Sequence, residues 1–110
     1  PESCLDIVAK SKIYMEEHIH KNIAIEEIAD MFNISGGYLR HLFKSQTGLS
    51  PKQYFISMKI KRAQSLLIST YYCVGYIASS VGYDDSQEFS KLFKKHNNLS
   101  PMQYRKLKKS

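Results

Sequence analysis

Apolar residues recur along the chain at spacings of three and four, and no stretch sustains alternation with a period of two, so the pattern predicts helices throughout. The first spans roughly residues 4–19, with Leu5, Val8, Met15 and Ile19 on one stripe. The second covers about 25–31 behind Ala24, a weak N-cap. Ser35 caps a third helix, whose Leu39, Leu42 and Phe43 turn inward before Gly48 ends it in the left-handed conformation. Ser50-Pro51 opens the fourth, with Pro at the first helical position, where its missing amide hydrogen costs nothing. This helix continues to about Ile68, with Ile56, Ile60, Ala63 and Leu67 on one face and Lys59, Lys61 and Arg62 on others. A fifth covers about 74–81 and stops at Gly82. The sixth follows Asp84-Asp85, whose carboxylates suit a helix N-terminus, and ends near Asn97-Asn98. Ser100-Pro101 opens the seventh, which finishes in Arg105, Lys106, Lys108 and Lys109.

The helices repeat. Residues 38–54 return 50 positions later as 88–104, with eight identities in 17 positions: Leu42, Phe43, Lys44, Leu49, Ser50, Pro51, Gln53 and Tyr54 meet Leu92, Phe93, Lys94, Leu99, Ser100, Pro101, Gln103 and Tyr104. Upstream, Ile28-Ala29 matches Ile77-Ala78 at a shift of 49, so the second copy carries one extra residue between its first and second helix. Each copy has a short helix with a small residue at a close approach (Ala29, Ala78), a tight turn and a second helix, which is the helix-turn-helix pattern. Gly82 permits the left-handed turn in one copy and Asn33, which also visits that conformation, in the other. A plain helical hairpin shows small residues and apolar stripes too; the duplication and the charge favour the helix-turn-helix.

With 110 residues, 43% of them hydrophobic, the chain suits one compact domain or two very small ones and leaves little room for a deep substrate cavity. Its net charge of +6 is unevenly placed: residues 1–55 carry a net −1 and residues 56–110 a net +7, which favours a polyanionic partner. Cys4 and Cys73 stand without cysteine or histidine neighbours at ligand spacing, which fits a reducing, cytoplasmic setting and gives no support to a disulfide framework or metal site. His18, His20, His41 and His96 are scattered, and no nucleophile stands beside a base, so the pattern calls for neither catalysis nor a cofactor. No apolar run approaches the length of a membrane span, and Pro1-Glu2-Ser3 is not the start of a signal peptide. The absence of an initiator Met suggests a fragment of something longer.

The two copies joined by one long helix, with Ile28-Ala29, Gly48-Leu49-Ser50-Pro51-Lys52-Gln53-Tyr54, Arg62-Ala63, Leu66-Leu67, Ile77-Ala78-Ser79-Ser80-Val81-Gly82-Tyr83, Phe89-Ser90-Lys91-Leu92-Phe93-Lys94 and Ser100-Pro101-Met102-Gln103-Tyr104-Arg105, resemble the DNA-binding domain of AraC/XylS-type bacterial transcription regulators over about residues 10–106. The resemblance implies an all-α fold of seven helices in two helix-turn-helix subdomains, residues 1–50 and 70–110, joined by a long linker helix, 51–69. It implies that the second helix of each motif enters a major groove of one double-stranded DNA. The further partners it implies are an N-terminal effector or dimerisation domain and RNA polymerase. The sequence departs from the usual pattern in Gln87-Glu88, where Ser-Tyr is common, in Lys59 for the usual Arg, in Asn98 for Gly, and in Gly36-Gly37. The glycine pair lowers helix propensity and predicts a pliable first turn in the third helix.

Subtracting the buried face gives the DNA-contacting candidates. In the third helix Gly37, Tyr38, Arg40 and His41 lie outward in the N-terminal half, the part that meets base edges in such motifs. Arg40 leads, because its planar fork matches guanine O6 and N7. In the sixth helix Ser86, Gln87, Ser90 and Lys91 are the base candidates; Gln87 suits adenine, and Lys91 suits guanine or phosphate. Lys44, Ser50, Lys59, Lys61, Arg62, Lys94, Ser100 and Arg105 are the phosphate candidates, the two serines being equally accounted for by helix capping. A protein-interaction module or an RNA-binding domain is the alternative reading. RNA binding would bring stacking aromatics to the surface, whereas Phe43, Phe93, Tyr54 and Tyr104 fall at matched positions expected to be buried. Tyr71 and Tyr72 are exceptions, neither repeated nor core, and suit contact with a regulatory domain.

Overall fold

The computed structural model describes residues 3–109; the expectations for Pro1, Glu2 and Ser110 lie outside the described residues. Among the described residues seven α-helices follow in order: α1 (Cys4–Glu17), α2 (Ile25–Met31), α3 (Gly36–Thr47), α4 (Pro51–Ser69), α5 (Val74–Ser80), α6 (Ser86–Asn97) and α7 (Pro101–Lys109). They form two compact units that divide inside α4, after Ser57.

In the first unit α3 packs against α1 and α2. Its core is Ile7, Val8, Met15, Ile19, Ile28, Ala29, Leu39, Leu42, Phe43 and Phe55. The α1 stripe differs from the expected one: Leu5 is 71% exposed and Ile7 is buried. Ile7, Ser11, Met15 and Ile19 form a series spaced by four, and Leu5 falls on its flank. Ser11 can sit in this apolar row because its hydroxyl donates to the Ile7 carbonyl at 2.7 Å. The helix also ends earlier than expected, at Glu17, with Ile19 packing from the turn that follows.

In the second unit α6 packs against α5 and α7, around Ile60, Ala63, Leu67, Ile77, Ala78, Val81, Phe89 and Phe93. The aromatic edge contact of the first unit, Phe43 on Tyr54 at 5.7 Å between centroids, returns as Phe93 on Tyr104 at 5.4 Å. Both tyrosines are half-buried. On α4 the buried face is Phe55, Lys59, Ile60, Ala63 and Leu67, with Ile56 half-buried, so the expected stripe is displaced by one residue at its start.

The repeat is also visible in the hydrogen bonds. Gln53 N–H donates to Ser50 Oγ at 3.2 Å while Ser50 N–H donates to Gln53 Oε1 at 3.1 Å, and Ser100 and Gln103 do the same at 3.2 and 2.9 Å. These are reciprocal capping boxes that satisfy donors otherwise orphaned at the starts of α4 and α7. The signature is Ser followed three residues later by Gln, present twice in the sequence.

Candidate nucleic-acid interface

Both helix-turn-helix turns close by one rule. In the first, the Asn33 N–H donates to the Asp30 carbonyl and the Ile34 N–H to that of Ala29; in the second, Gly82 and Tyr83 donate to Ser79 and Ala78. This is a Schellman ending, which needs a positive φ at its penultimate residue. Asn33 has φ +55° and Gly82 +91°. The extra residue of the second copy is Asp84, between the closing residue Tyr83 and the cap of α6, Asp85. Ser35 caps α3 by accepting from the Tyr38 amide at 3.0 Å, and Asp85 caps α6 by accepting from Gln87 at 2.9 Å and Glu88 at 3.4 Å. At their far ends Gly48 and Asn98 both adopt the left-handed conformation.

These caps and turns fix which residues α3 and α6 show to solvent. On α3, Gly37, Tyr38, Arg40, His41 and Lys44 are exposed while Leu39, Leu42 and Phe43 are buried. On α6, Gln87, Lys91 and Lys94 are exposed, Phe89 and Phe93 buried and Leu92 half-buried. Gln87, Lys91 and Lys94 step by four and three and form one row; Gly37, His41 and Lys44 occupy the same row in the other copy. Ser86 and Ser90 are half-buried, and the Ser90 hydroxyl donates to the Ser86 carbonyl at 2.8 Å, which leaves its oxygen as an acceptor.

Two neighbours reach the outward face of α3. Glu26, in the first turn of α2, accepts from Arg40 Nη2 at 2.8 Å. Its carboxyl is held below the usual range, first by its own backbone amide and then by Arg40. The Tyr38 hydroxyl lies 3.6 Å from Cys4 Sγ, and this contact raises the tyrosine above its ordinary value. Glu26 was not singled out by sequence reasoning, since no local spacing connects residue 26 to residue 40.

Two phosphate candidates require correction. Lys59 is 1% exposed: its ammonium donates to the Val81 carbonyl at the end of α5 and lies 5.8 Å from the centre of the Tyr83 ring. Its long stem lets a lysine fill a core position while its charge meets the carbonyl end of a helix. Arg105 is also committed internally. Its Nε donates to the Leu67 carbonyl at 3.0 Å and its Nη2 to the Tyr72 carbonyl at 2.6 Å, serving acceptors at and beyond the C-terminal end of α4. Lys109, also in the basic end of α7, donates to the Thr70 carbonyl at 2.6 Å and sits 3.6 Å over the Tyr71 ring. Lys44, Lys61, Arg62, Lys91 and Lys94 remain exposed, and Ser50 and Ser100 are occupied in their capping boxes.

Burial pushes the Lys59 ammonium down to about 8 from its ordinary 10.5. Below pH 8 the folded chain keeps a proton that burial disfavours; above it the folded form releases the proton while the unfolded chain still holds it. Stability at this site therefore rises as pH climbs from 8 toward 10.5. Between pH 7.5 and 9.5 the wild type should gain about 2 kcal/mol relative to Lys59→Met in urea unfolding. An equal response in both proteins would contradict the assignment.

Two outward helices, each delivered by a tight turn, one showing Arg40 and Lys44 and the other Lys91 and Lys94, define a helix-turn-helix protein of the kind that reads duplex DNA. Residues 28–107 match the family model described as a helix-turn-helix domain. Among curated relatives, the MmsAB operon regulatory protein of Pseudomonas aeruginosa is 41% identical over 92 residues, covering 84% of this chain and 30% of that protein. The C-terminal domain of AraT, a response regulator from Geobacillus stearothermophilus, superposes with a TM-score of 0.87 at 33% identity, covering 92% of this chain and 84% of that one. The DNA-binding domain of AdpA, solved with a target DNA, gives 0.84 at 27% identity, covering 90% and 89%. The chain belongs to the AraC/XylS type of helix-turn-helix DNA-binding domain, a family of transcription regulators and not of enzymes. It spans about 30% of the length of the curated relatives it matches. Among the described residues no helix is long and apolar enough to cross a membrane.

Proposed function

We propose that this domain binds a specific duplex sequence by laying α3 and α6 in successive major grooves, with α4 as the strut between subdomains 1–50 and 70–110. The observation that carries the reading is the matched row on the two second helices, Gly37, His41 and Lys44 against Gln87, Lys91 and Lys94, each set outward by the same turn and cap. Arg40 is the leading base contact of α3, through a two-pronged bond to guanine, with Tyr38 and His41 beside it and Gly37 admitting close approach. Gln87 reads adenine from α6, Lys91 contacts guanine or phosphate, and Ser86 and Ser90 accept from bases. Lys44, Lys61, Arg62 and Lys94 neutralise phosphates and set the register without carrying sequence information. Ser50 and Ser100 add phosphate contacts at the starts of α4 and α7.

The domain works in the cytoplasm within a longer regulator that carries an N-terminal effector or dimerisation domain and meets RNA polymerase. The match covers about 30% of the relatives' length, which supports the longer chain; the other partners and the location follow from the reading as a transcription regulator. Selection of binding sites from randomised duplex DNA tests the reading. Two preferred blocks about 10 bp apart are expected, one helical turn, with Arg40→Ala erasing the preference at one base pair of one block. One block alone would mean that a single helix reads; profiles identical for wild type and variant would remove Arg40 from the reading set.

A further inference from the structure

Glu26 and Arg40 are joined by a contact that stability does not explain. Their side chains are 65% and 51% exposed, and an ion pair between charges already in water contributes little to folding. Their surroundings are nevertheless shaped for it. Gly36, the first residue of α3, stands where an added Cβ would lie 3.2 Å from Glu26 Oε1 and 3.4 Å from Arg40 Nη1. A side chain there would press on the carboxylate, which would have to give by a few tenths of an ångström, while the guanidinium would be in ordinary contact. In the second copy the matching positions hold Gly75, Ser86 and Ser90, and no such pair can form. The device belongs to one of the two outward helices.

We propose that Glu26 is a specificity-determining positioning residue, which holds one edge of the Arg40 guanidinium so that its remaining N–H groups meet a guanine edge instead of the nearest backbone phosphate. The proposal rests on the reading of Arg40 as a base contact. A guanidinium has five N–H donors in a planar fork, and the bond to Glu26 uses Nη2, so Nη1 and the other donors stay available. An untethered arginine beside a polyanion neutralises whichever phosphate it reaches and conveys no sequence. The carboxylate restricts that freedom and repels phosphates from the same spot, so Glu26 exchanges general affinity for discrimination.

Site selection from randomised duplexes, with binding titrations on an unrelated duplex, compares wild type, Glu26→Gln, Gly36→Ala and Arg40→Ala, each melting curve fixing the folded fraction used. Glu26→Gln is expected to weaken about tenfold the preference at the one position that Arg40→Ala flattens, to spare the others, and to raise affinity for the unrelated duplex. Gly36→Ala changes no charge, yet it displaces the carboxylate and should weaken the same preference to a smaller degree. An Arg40-dependent preference left intact in both Glu26→Gln and Gly36→Ala overturns the proposal while Arg40 stands as a reader. No change at any position in Arg40→Ala removes the reading and the proposal together.

Discussion

Phe93→Ala should cost the second unit about 3 to 5 kcal/mol, a large share of the roughly 5 to 15 kcal/mol that holds a small domain together. The ring is fully buried, lies 5.9 Å from Phe89 and meets Tyr104 edge-on at 5.4 Å. Truncation leaves a cavity where α6 and α7 meet, and a well-packed interior closes such a space only in part. Because Phe93 is on the inner face of α6, the same change also loosens the helix that presents Gln87 and Lys91. Urea unfolding measures the loss, with Met102→Ala as control. Met102 is 60% exposed, and its truncation should stay within about 0.5 kcal/mol of wild type. A loss below about 1 kcal/mol for Phe93→Ala would mean that the ring is not a core element.

The second large effect is on DNA. With Lys59 and Arg105 committed to internal carbonyls and Arg40 set aside as a base contact, five exposed cations of the phosphate and reading sets remain for phosphates: Lys44, Lys61, Arg62, Lys91 and Lys94. If each meets one phosphate, log affinity falls by about 4.5 per log unit of salt, so raising salt from 50 to 200 mM should weaken duplex binding roughly 500-fold. Titrations at several salt concentrations give the slope directly. A loss under tenfold would correspond to about two phosphates and would defeat the proposed footprint. Lys94→Ala should lower the slope by about 0.9 and weaken all sequences alike, unlike Arg40→Ala.

What could be read in the sequence and what could not divides by distance along the chain. Ser35, Gly48, Asp85 and Asn98 act on atoms within a few residues, so residue type and spacing determine them, and the positive φ at Asn33 and Gly82 follows from the same local logic. The register of α1 was harder, because Leu5 and Ile7 are equally apolar and only the packing of α3 on α1 selects between them. Charged side chains were least legible. Lys59 reaches an acceptor 22 residues away and Arg105 one 38 residues away; in sequence each looks like an ordinary surface cation. A buried lysine needs acceptors, here the carbonyl at the end of α5, and which helix end faces it is set by tertiary structure. The Glu26–Arg40 pair was hidden for the same reason, with Gly36 legible as a weak helix former but not as a vacated space.

Asp84 shows how loosely the two halves of each motif are joined. The bonds from Gly82 and Tyr83 finish α5 before Asp84 is reached, and Asp85 begins α6 after it, so neither the ending nor the beginning depends on the residue between them. Joint length is therefore adjustable without rebuilding either helix. The two copies differ by this one residue and still bury matching positions, Leu39 and Phe43 in one and Phe89 and Phe93 in the other, so the spacer takes up the insertion and the facing of the following helix is dictated by its own apolar side.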